Sequence, residues 1–485
     1  MSKSTICLGW GLLLTLALFV RIGVGLYWDD VVTERANASE APETISKDGP
    51  FFYGDSDSYW KLARALAFGR PYEFDDERHW QIFRTPGYPA LLAPLFWIYG
   101  EYPPTLAARM TGAFFGMINV ALVGWLALVI FGRNKQGRMI AFLASLFVAL
   151  DPTEALQSVS ILSEEPFMTF SLLLDIGIVK ASRFFGLLST EESFSETRPE
   201  KPATGSKTFV KRLFVFSATL AVCSAATIYL RPSWYYFVPF SLLVLLVFKL
   251  LVDATRRNAE KKYFWTLRNG AALLLCIALA HLFTLILLSP WILRNYRLTG
   301  LPITTTLQMG ASLYDGLSPE ATGASDMTFV DRFRQEELEN PSDSPNVHFE
   351  ARLNSRMKSA SIEWTKSHPK EAVRLALVKF YRLWAPVPRD PAFSSPFLKF
   401  VLAISFTPVF ILGILGAIRA FRLNNAAYFL IVPALYVTAL HVVFVSSIRY
   451  RVPVMFGFAI LGAYWLVAIS DCRASHNRNS TSHMV

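Results

Sequence analysis

The stretch 105-TLAARMTGAFFGMINVALVGWLALVIFGRNKQGRMIAFLASLFVAL-150 decides the fold class. Two apolar runs are joined by a short connector that carries Arg133, Lys135 and Arg138. A helix needs about 20 apolar residues to cross the hydrocarbon core of a bilayer, and the run after Arg109 supplies that length without a charge. Short connectors rich in Lys and Arg mark the cytoplasmic side of a membrane protein. The pattern therefore predicts a chain threaded repeatedly through lipid. A soluble chain of 485 residues would instead suggest two or three domains.

Composition agrees. Hydrophobic residues make up 53% and charged residues 17%, and the apolar ones fall in long blocks rather than in alternating or amphipathic patterns. The net charge of +10 does not point to nucleic acid, because the basic residues gather in the short connectors. Cys7, Cys223, Cys276 and Cys472 form no CxxC pair, so neither a disulfide framework nor a thiolate metal site is indicated.

The fold expected is an all-α polytopic membrane protein of about ten spans, at 5–28, 106–131, 138–153, 160–181, 212–230, 233–252, 270–290, 397–418, 424–445 and 452–470. The run from Ile6 to Tyr27 is too long for a cleaved signal peptide and reads as a retained first span, with Arg21 snorkelling from its outer end. The basic connectors at Arg133–Arg138, Arg183–Arg212, Arg256–Lys262 and Arg419–Arg422 share one side if both termini are cytoplasmic. The organisation is then a first span (1–28), a long outer loop (29–105), a bundle of about six spans (106–290), a second long outer loop (291–396), three last spans (397–470) and a cytoplasmic tail (471–485). In the first loop, Asp29–Asp48 reads as a mobile acidic stretch, SYWKLARALAFG as a helix with Tyr59 on its apolar face, and RTPGYPALLAPLFWIYG as an interfacial helix. In the second, polar and basic helices run over 347–366 and 368–384.

Candidate chemistry gathers on the outer side. Asp55 and Asp57 in GDSDSYW precede a helix. Ser56 or Asp57 can cap it, and a carboxylate at a dry interface also suits a general base for a hydroxyl. Arg84 in FRTPGYP is placed to pair with phosphate oxygens or a lipid headgroup. Glu164 and Glu165 open a span, where carboxylates are expensive unless used, although they also favour a helix N-terminus. Arg231 lies in a tight outer connector, Arg294, Asn295 and Arg297 lie just past a span, and Arg449, Tyr450 and Arg451 fill another short outer connector. Cations there oppose the positive-inside trend and call for an anionic headgroup or phosphate. His281 and Asp175 are the polar exceptions within spans, His281 reading as packed or hydrogen-bonded in the bundle. No P-loop, GxGxxG, HExxH or GxSxG is present.

In this order the motifs resemble those of the polyprenyl-phosphate-sugar-dependent glycosyltransferases of the GT-C superfamily, near protein O-mannosyltransferases and the lipid A aminoarabinose transferase. Asp55 with Tyr59 and LARAL resembles the acidic motif of the first outer loop, and RTPGYPALLAPLF, with Tyr88, resembles an Arg-x-Pro-Gly-Tyr-Pro block. LSEEPF resembles a span-opening glutamate motif, matched best by Glu164, and PWILRNYRLTG, GASLYDG and RYRVP complete the series. The resemblance implies an inverting transferase in which Asp55, or Asp57 offset from it, deprotonates an acceptor hydroxyl while cations stabilise the leaving polyprenyl phosphate. Phe83 and Arg84 stand where the aminoarabinose transferases carry the first two residues of Glu-Lys-Pro-Pro. No cofactor is specified, and a divalent metal is left open. The implied partners are a polyprenyl-phosphate sugar, a glycan, lipid or protein acceptor, and membrane lipid, with no nucleic acid. The implied place is the inner membrane, with the active site facing outward. The alternative class is a transporter or flippase, which needs polar residues at mid-bilayer depth; a non-catalytic lipid-binding scaffold leaves the ordered outer charges unexplained.

Overall fold

The computed structural model describes residues 3–38, 49, 51–74, 80–188, 207–255, 267–341, 347–389, 395–423 and 426–482. Helices dominate these residues, as lipid requires of a backbone that must satisfy its own hydrogen bonds. Along the first half run α1 (Lys3–Ala38), α2 (Gly54–Ala67), α3 (Gly87–Tyr99), α4 (Thr105–Phe131), α5 (Lys135–Leu150), α6 (Pro152–Ser158), α7 (Glu164–Phe184) and α8 (Lys207–Leu230). The second half adds α9 (Phe237–Thr255), α10 (Leu267–Thr299), α11 (Met309–Gly316), α12 (Phe329–Glu339), α13 (Phe349–Ser367), α14 (Pro369–Trp384), α15 (Pro396–Arg422), α16 (Val432–His441), α17 (Ile448–Arg451) and α18 (Met455–Ser482).

Among the described residues, six segments are long and apolar enough to cross a membrane: Ser4–Asn37, Thr105–Phe131, Lys207–Leu230, Gly270–Thr299, Pro396–Arg422 and Ile448–Ser470. A seventh is counted if α5 and α6, bent by 64° at Asp151, make one span. The three other expected spans correspond to helices as well. α7 carries Glu164, Glu165 and Asp175, α9 follows a tight turn over Pro232–Tyr236, and α16 is short. Leu8, Leu12, Leu16 and Phe19 of α1 stand exposed at helical spacing, as side chains facing lipid do.

Several boundaries move. α1 continues through Ala38, so Asp29 and Asp30 are helical rather than part of a mobile stretch; residues 39–48 lie outside the described set. Arg21 does not snorkel. It is fully buried and donates to the carbonyls of Ala17 (3.2 Å), Val148 (3.2 Å) and Ala149 (3.4 Å), taking up groups that the end of α5 leaves unpaired. α7 begins at Glu164, four residues later than expected, and α10 continues to Thr299. α18 continues through Ser482, so the expected tail is helical over most of its length. His281 is exposed and set edge-on to Tyr235, not packed inside the bundle. Asp175 is fully buried in α7.

The two long inter-span segments fold against each other at one end of the bundle. Trp80 from the first enters a small core made by the second, with Tyr314, Phe329, Phe333, Leu353 and Met357. Behind that core, buried Glu337 on α12 accepts from Arg352 (2.8 Å) and Arg356 (2.7 Å) on α13. At the rim of the bundle, Gly87 lets α3 begin directly on the end of α8: a Cβ there would lie 2.4 Å from the Tyr229 carbonyl oxygen. That contact carries the FRTPGYP segment to the place where α8 ends and Arg231 begins the next turn.

Candidate active site at the membrane rim

Five charged side chains from five places in the sequence meet at this rim. α2 starts without a side-chain cap, since Tyr53 precedes it in an extended conformation, and Asp55 sits in its first turn. Ser56 and Asp57 therefore lie inside the helix and not at its cap, contrary to the capping expectation. The Ser56 hydroxyl donates to the Ser160 carbonyl (3.3 Å), which pins α2 to the loop before α7. That loop holds Ile161 at φ 52°, a left-handed conformation that a β-branched residue rarely adopts. Such strain gathers at functional positions, and Glu164 follows three residues later.

Asp55 accepts from Arg84 through Oδ1 and from Arg449 through Oδ2 at 2.8 Å. Glu164 Oε1 accepts from Arg449 Nε at 2.5 Å and pairs with Arg231 Nη1 at 2.9 Å. Arg449 thus bridges both acids, and Arg84 also donates to the Gln308 side-chain oxygen at 3.3 Å. Aromatic rings line the cations: Arg84 lies over Tyr59 and Phe83, Arg231 over Phe167 and Tyr450, and Arg449 over Tyr53 and Tyr450. Tyr88 packs edge-on against Tyr59, and the Tyr450 ring stacks on His441.

Burial raises the Asp55 carboxyl, but Arg84 and Arg449 outweigh it and hold the group well below the usual carboxylate range. Burial likewise disfavours a charged Arg84, and Asp55 reverses that, leaving Arg84 more firmly protonated than in water. Both are therefore ionised at neutral pH. Three guanidiniums face two carboxylates, which leaves one positive charge over. Such a donor set suits an anion better than a metal cation. Among the described residues, no group of three or more His, Cys, Asp or Glu side chains could hold a metal ion.

Not every residue singled out in the sequence joins this cluster. Asp57 points to Lys61 (2.9 Å) on its own helix. Arg451 turns into the protein, where it donates to the carbonyls of Leu383 (2.8 Å) and Ala385 (2.5 Å) and lies over the Phe406 ring. Arg294 stacks on Trp291 and donates to the carbonyls of Gln81 (2.9 Å) and Tyr72 (3.1 Å). Asn295 is buried and donates to the Ile303 carbonyl. Glu165 accepts from the Asn119 amide at 2.7 Å, away from the arginines. Tyr53 and Gln308 were not singled out: an aromatic and an amide in loops carry no signal of their own. Asp29, helical here and not part of the expected loop, pairs with buried Arg109 (2.7 Å), a contact with no signal in the sequence.

No protein-family description matches the sequence, and no curated protein matches it. Among solved structures, the chain is similar to the oligosaccharyltransferase of Archaeoglobus fulgidus. The apo form superposes with a TM-score of 0.51 at 13% identity, over 98% of this chain and 52% of that one. The form with Zn and sulfate gives 0.50 at 10% identity, over 97% and 50%. ArnT from Cupriavidus metallidurans bound to undecaprenyl phosphate gives 0.37 at 13% identity, over 86% and 74%. The chain spans about half the length of the archaeal enzyme and shares its fold. An all-α polytopic membrane fold is the class expected from the sequence.

Proposed function

We propose that this chain is a membrane glycosyltransferase that takes a sugar from a polyprenyl-phosphate donor and transfers it, with inversion, to an acceptor hydroxyl. The observation that carries the reading is the meeting of Arg84, Arg231 and Arg449 around Asp55 and Glu164 at the rim of the bundle. A lipid-borne phosphate arrives at that depth with its chain already in the membrane. The fold serves an oligosaccharyltransferase in the archaeal protein, which makes the same chemical class the economical one here.

In this reading the guanidiniums hold the donor phosphate and Glu164 holds Arg231 and Arg449 in place. Phosphate draws a guanidinium away from Asp55, so one carboxylate oxygen becomes free. That oxygen takes the acceptor's proton while the acceptor oxygen bonds to the anomeric carbon. The bond from that carbon to the phosphate oxygen breaks, and its electron pair stays on the phosphate, where preorganised cations stabilise it. The positions of the basic connectors support a reading in which the cluster faces outward and both termini are cytoplasmic, with the inner membrane as the proposed location.

The test is to reconstitute the purified protein with labelled polyprenyl-phosphate sugars and hydroxyl acceptors. Wild type should release sugar to an acceptor and Asp55→Asn should not. Movement of intact donor between leaflets without sugar release would favour a flippase and refute the transferase reading.

A further inference from the structure

The rim cluster depends on Arg84, and Arg84 is held by a segment with no secondary structure of its own. Residues 81–84 belong to the first outer segment and run along the second. The Gln81 N–H donates to Glu350 Oε1 at 2.5 Å, and the Ile82 N–H donates to Oε2 at 3.2 Å and Oε1 at 3.3 Å. On the opposite edge, the Ile82 carbonyl accepts from the Leu307 N–H at 3.0 Å and the Gln81 carbonyl accepts from Arg294 at 2.9 Å. The Tyr72 hydroxyl donates to the Arg84 carbonyl at 3.3 Å. Ile82 is fully buried among Trp291, Leu307 and Ala351. Glu350 itself is buried, in the first turn of α13. The buried Ile82 N–H and the partly buried Gln81 N–H thus rely on one carboxylate more than 260 residues away in sequence.

We propose that Glu350 is a positioning residue for Arg84, and that its ionised carboxylate keeps the two outer segments in register for binding the lipid phosphate. The inference rests on the transferase reading and adds a control to it. A carboxylate offers a separate acceptor oxygen to each N–H. A protonated carboxyl, or an amide, turns one oxygen into a donor or replaces it with one, so the Ile82 N–H loses its bond to Oε2 and keeps only the longer one to Oε1, which Gln81 shares. Arg84, two residues on, is then held less firmly in the position from which its fork reaches Asp55 and Gln308.

The equilibrium lies in a useful range. Burial pushes the Glu350 carboxyl up, the N–H groups of Gln81 and Ile82 and the charge of Arg294 pull it back, and it settles at about 7. The charged groups around it are Arg294 on α10, Arg352 on its own helix, already committed to Glu337, and Glu73, which accepts from the Gln81 side chain at 3.0 Å. His348 is pushed down by burial and by Arg352 and Arg294, so it stays neutral near pH 7. Asp55 stays ionised throughout this range. An acid limb in donor KM that Glu350→Gln removes is therefore the signature of this role.

The experiment measures donor KM and kcat against pH for wild type, Glu350→Gln and Glu350→Asp, together with binding of a sugar-free polyprenyl phosphate. In wild type, donor KM rises as pH falls through about 7, with little change in kcat. Glu350→Gln keeps side-chain volume but gives a high KM at every pH, about tenfold above wild type at pH 8, the cost of one hydrogen bond. Glu350→Asp restores a pH-dependent KM. A Gln variant with wild-type KM and an unaltered acid limb overturns the positioning role while transfer stands. A wild type that neither binds the lipid phosphate nor transfers sugar overturns the transferase reading itself.

Discussion

Replacing Asp55 with asparagine should tighten binding of a lipid phosphate while it stops transfer. Asp55 occupies Arg84 with one oxygen and Arg449 with the other. A phosphate that engages both guanidiniums must displace the carboxylate from at least one. Hydrogen bonds with a charged partner contribute about 1.5–3 kcal/mol each. Asparagine keeps the shape but offers a single neutral oxygen, so the displacement becomes easier by roughly the charged part of one bond. That part, the excess over a neutral bond of about 0.5–1.5 kcal/mol, is about 1 to 1.5 kcal/mol, or about five- to twelvefold in Kd. The Asp55 side chain is 29% exposed, and solvent screening places the expectation at the lower end, about fivefold. The assay is a titration of wild type and variant in lipid nanodiscs with a sugar-free polyprenyl phosphate, followed by intrinsic fluorescence, with transfer measured on the same preparations. Equal or weaker binding by the variant would refute the reasoning, because Asp55 would then help to hold the phosphate instead of competing for the arginines.

Three further perturbations probe the frame. Glu164→Gln leaves Arg231 and Arg449 facing a neutral group at a fully buried position; breaking a buried pair costs about 3–5 kcal/mol, which should appear as a lower unfolding midpoint in detergent. Asp57→Asn removes a partly exposed pair with Lys61, worth less than about 1 kcal/mol; transfer should stay within about threefold of wild type, and its loss would move the base from Asp55 to Asp57. Gly87→Ala sets a Cβ against the Tyr229 carbonyl and should destabilise by about 1–3 kcal/mol or more; an unchanged melting profile would mean that α3 does not lie on α8 in this way.

How much of this was legible in the sequence differs by level. Hydropathy alone placed the long apolar helices, because lipid imposes one length on all of them. It misjudged α1 and α18, whose ends run on as helix past the apolar residues. Asp55, Arg84, Glu164, Arg231 and Arg449 could be named as odd charges on one side of the membrane, and the structure brings them together. Arg451 could not be told from Arg449: two residues apart on one short helical turn, they point different ways, and only the bare carbonyls of Leu383 and Ala385 decide which is drawn inward. Glu350 left no signal, since an acid that serves backbone N–H groups across a loop resembles any surface glutamate until the fold is known.

Charge counting through the proposed reaction separates the two candidate bases. A sugar–phosphate–polyprenyl diester carries one negative charge, and the cluster of three guanidiniums and two carboxylates carries one positive charge, so the bound state is neutral. Transfer breaks the diester and leaves a monoester with about one charge more, while the acceptor's proton neutralises the base. If the base is Asp55, the remaining charges are three guanidiniums, Glu164 and a doubly charged phosphate, which again sum to zero. If the base is Asp57, the proton goes to a group paired with Lys61 outside the cluster, and the cluster ends one charge negative around a product that must leave. Unbalanced buried charge is costly, so the arrangement favours Asp55. The same count gives a reason for the inward turn of Arg451: a fourth guanidinium at the rim would leave an uncompensated charge at both ends of the reaction and hold the product phosphate in place.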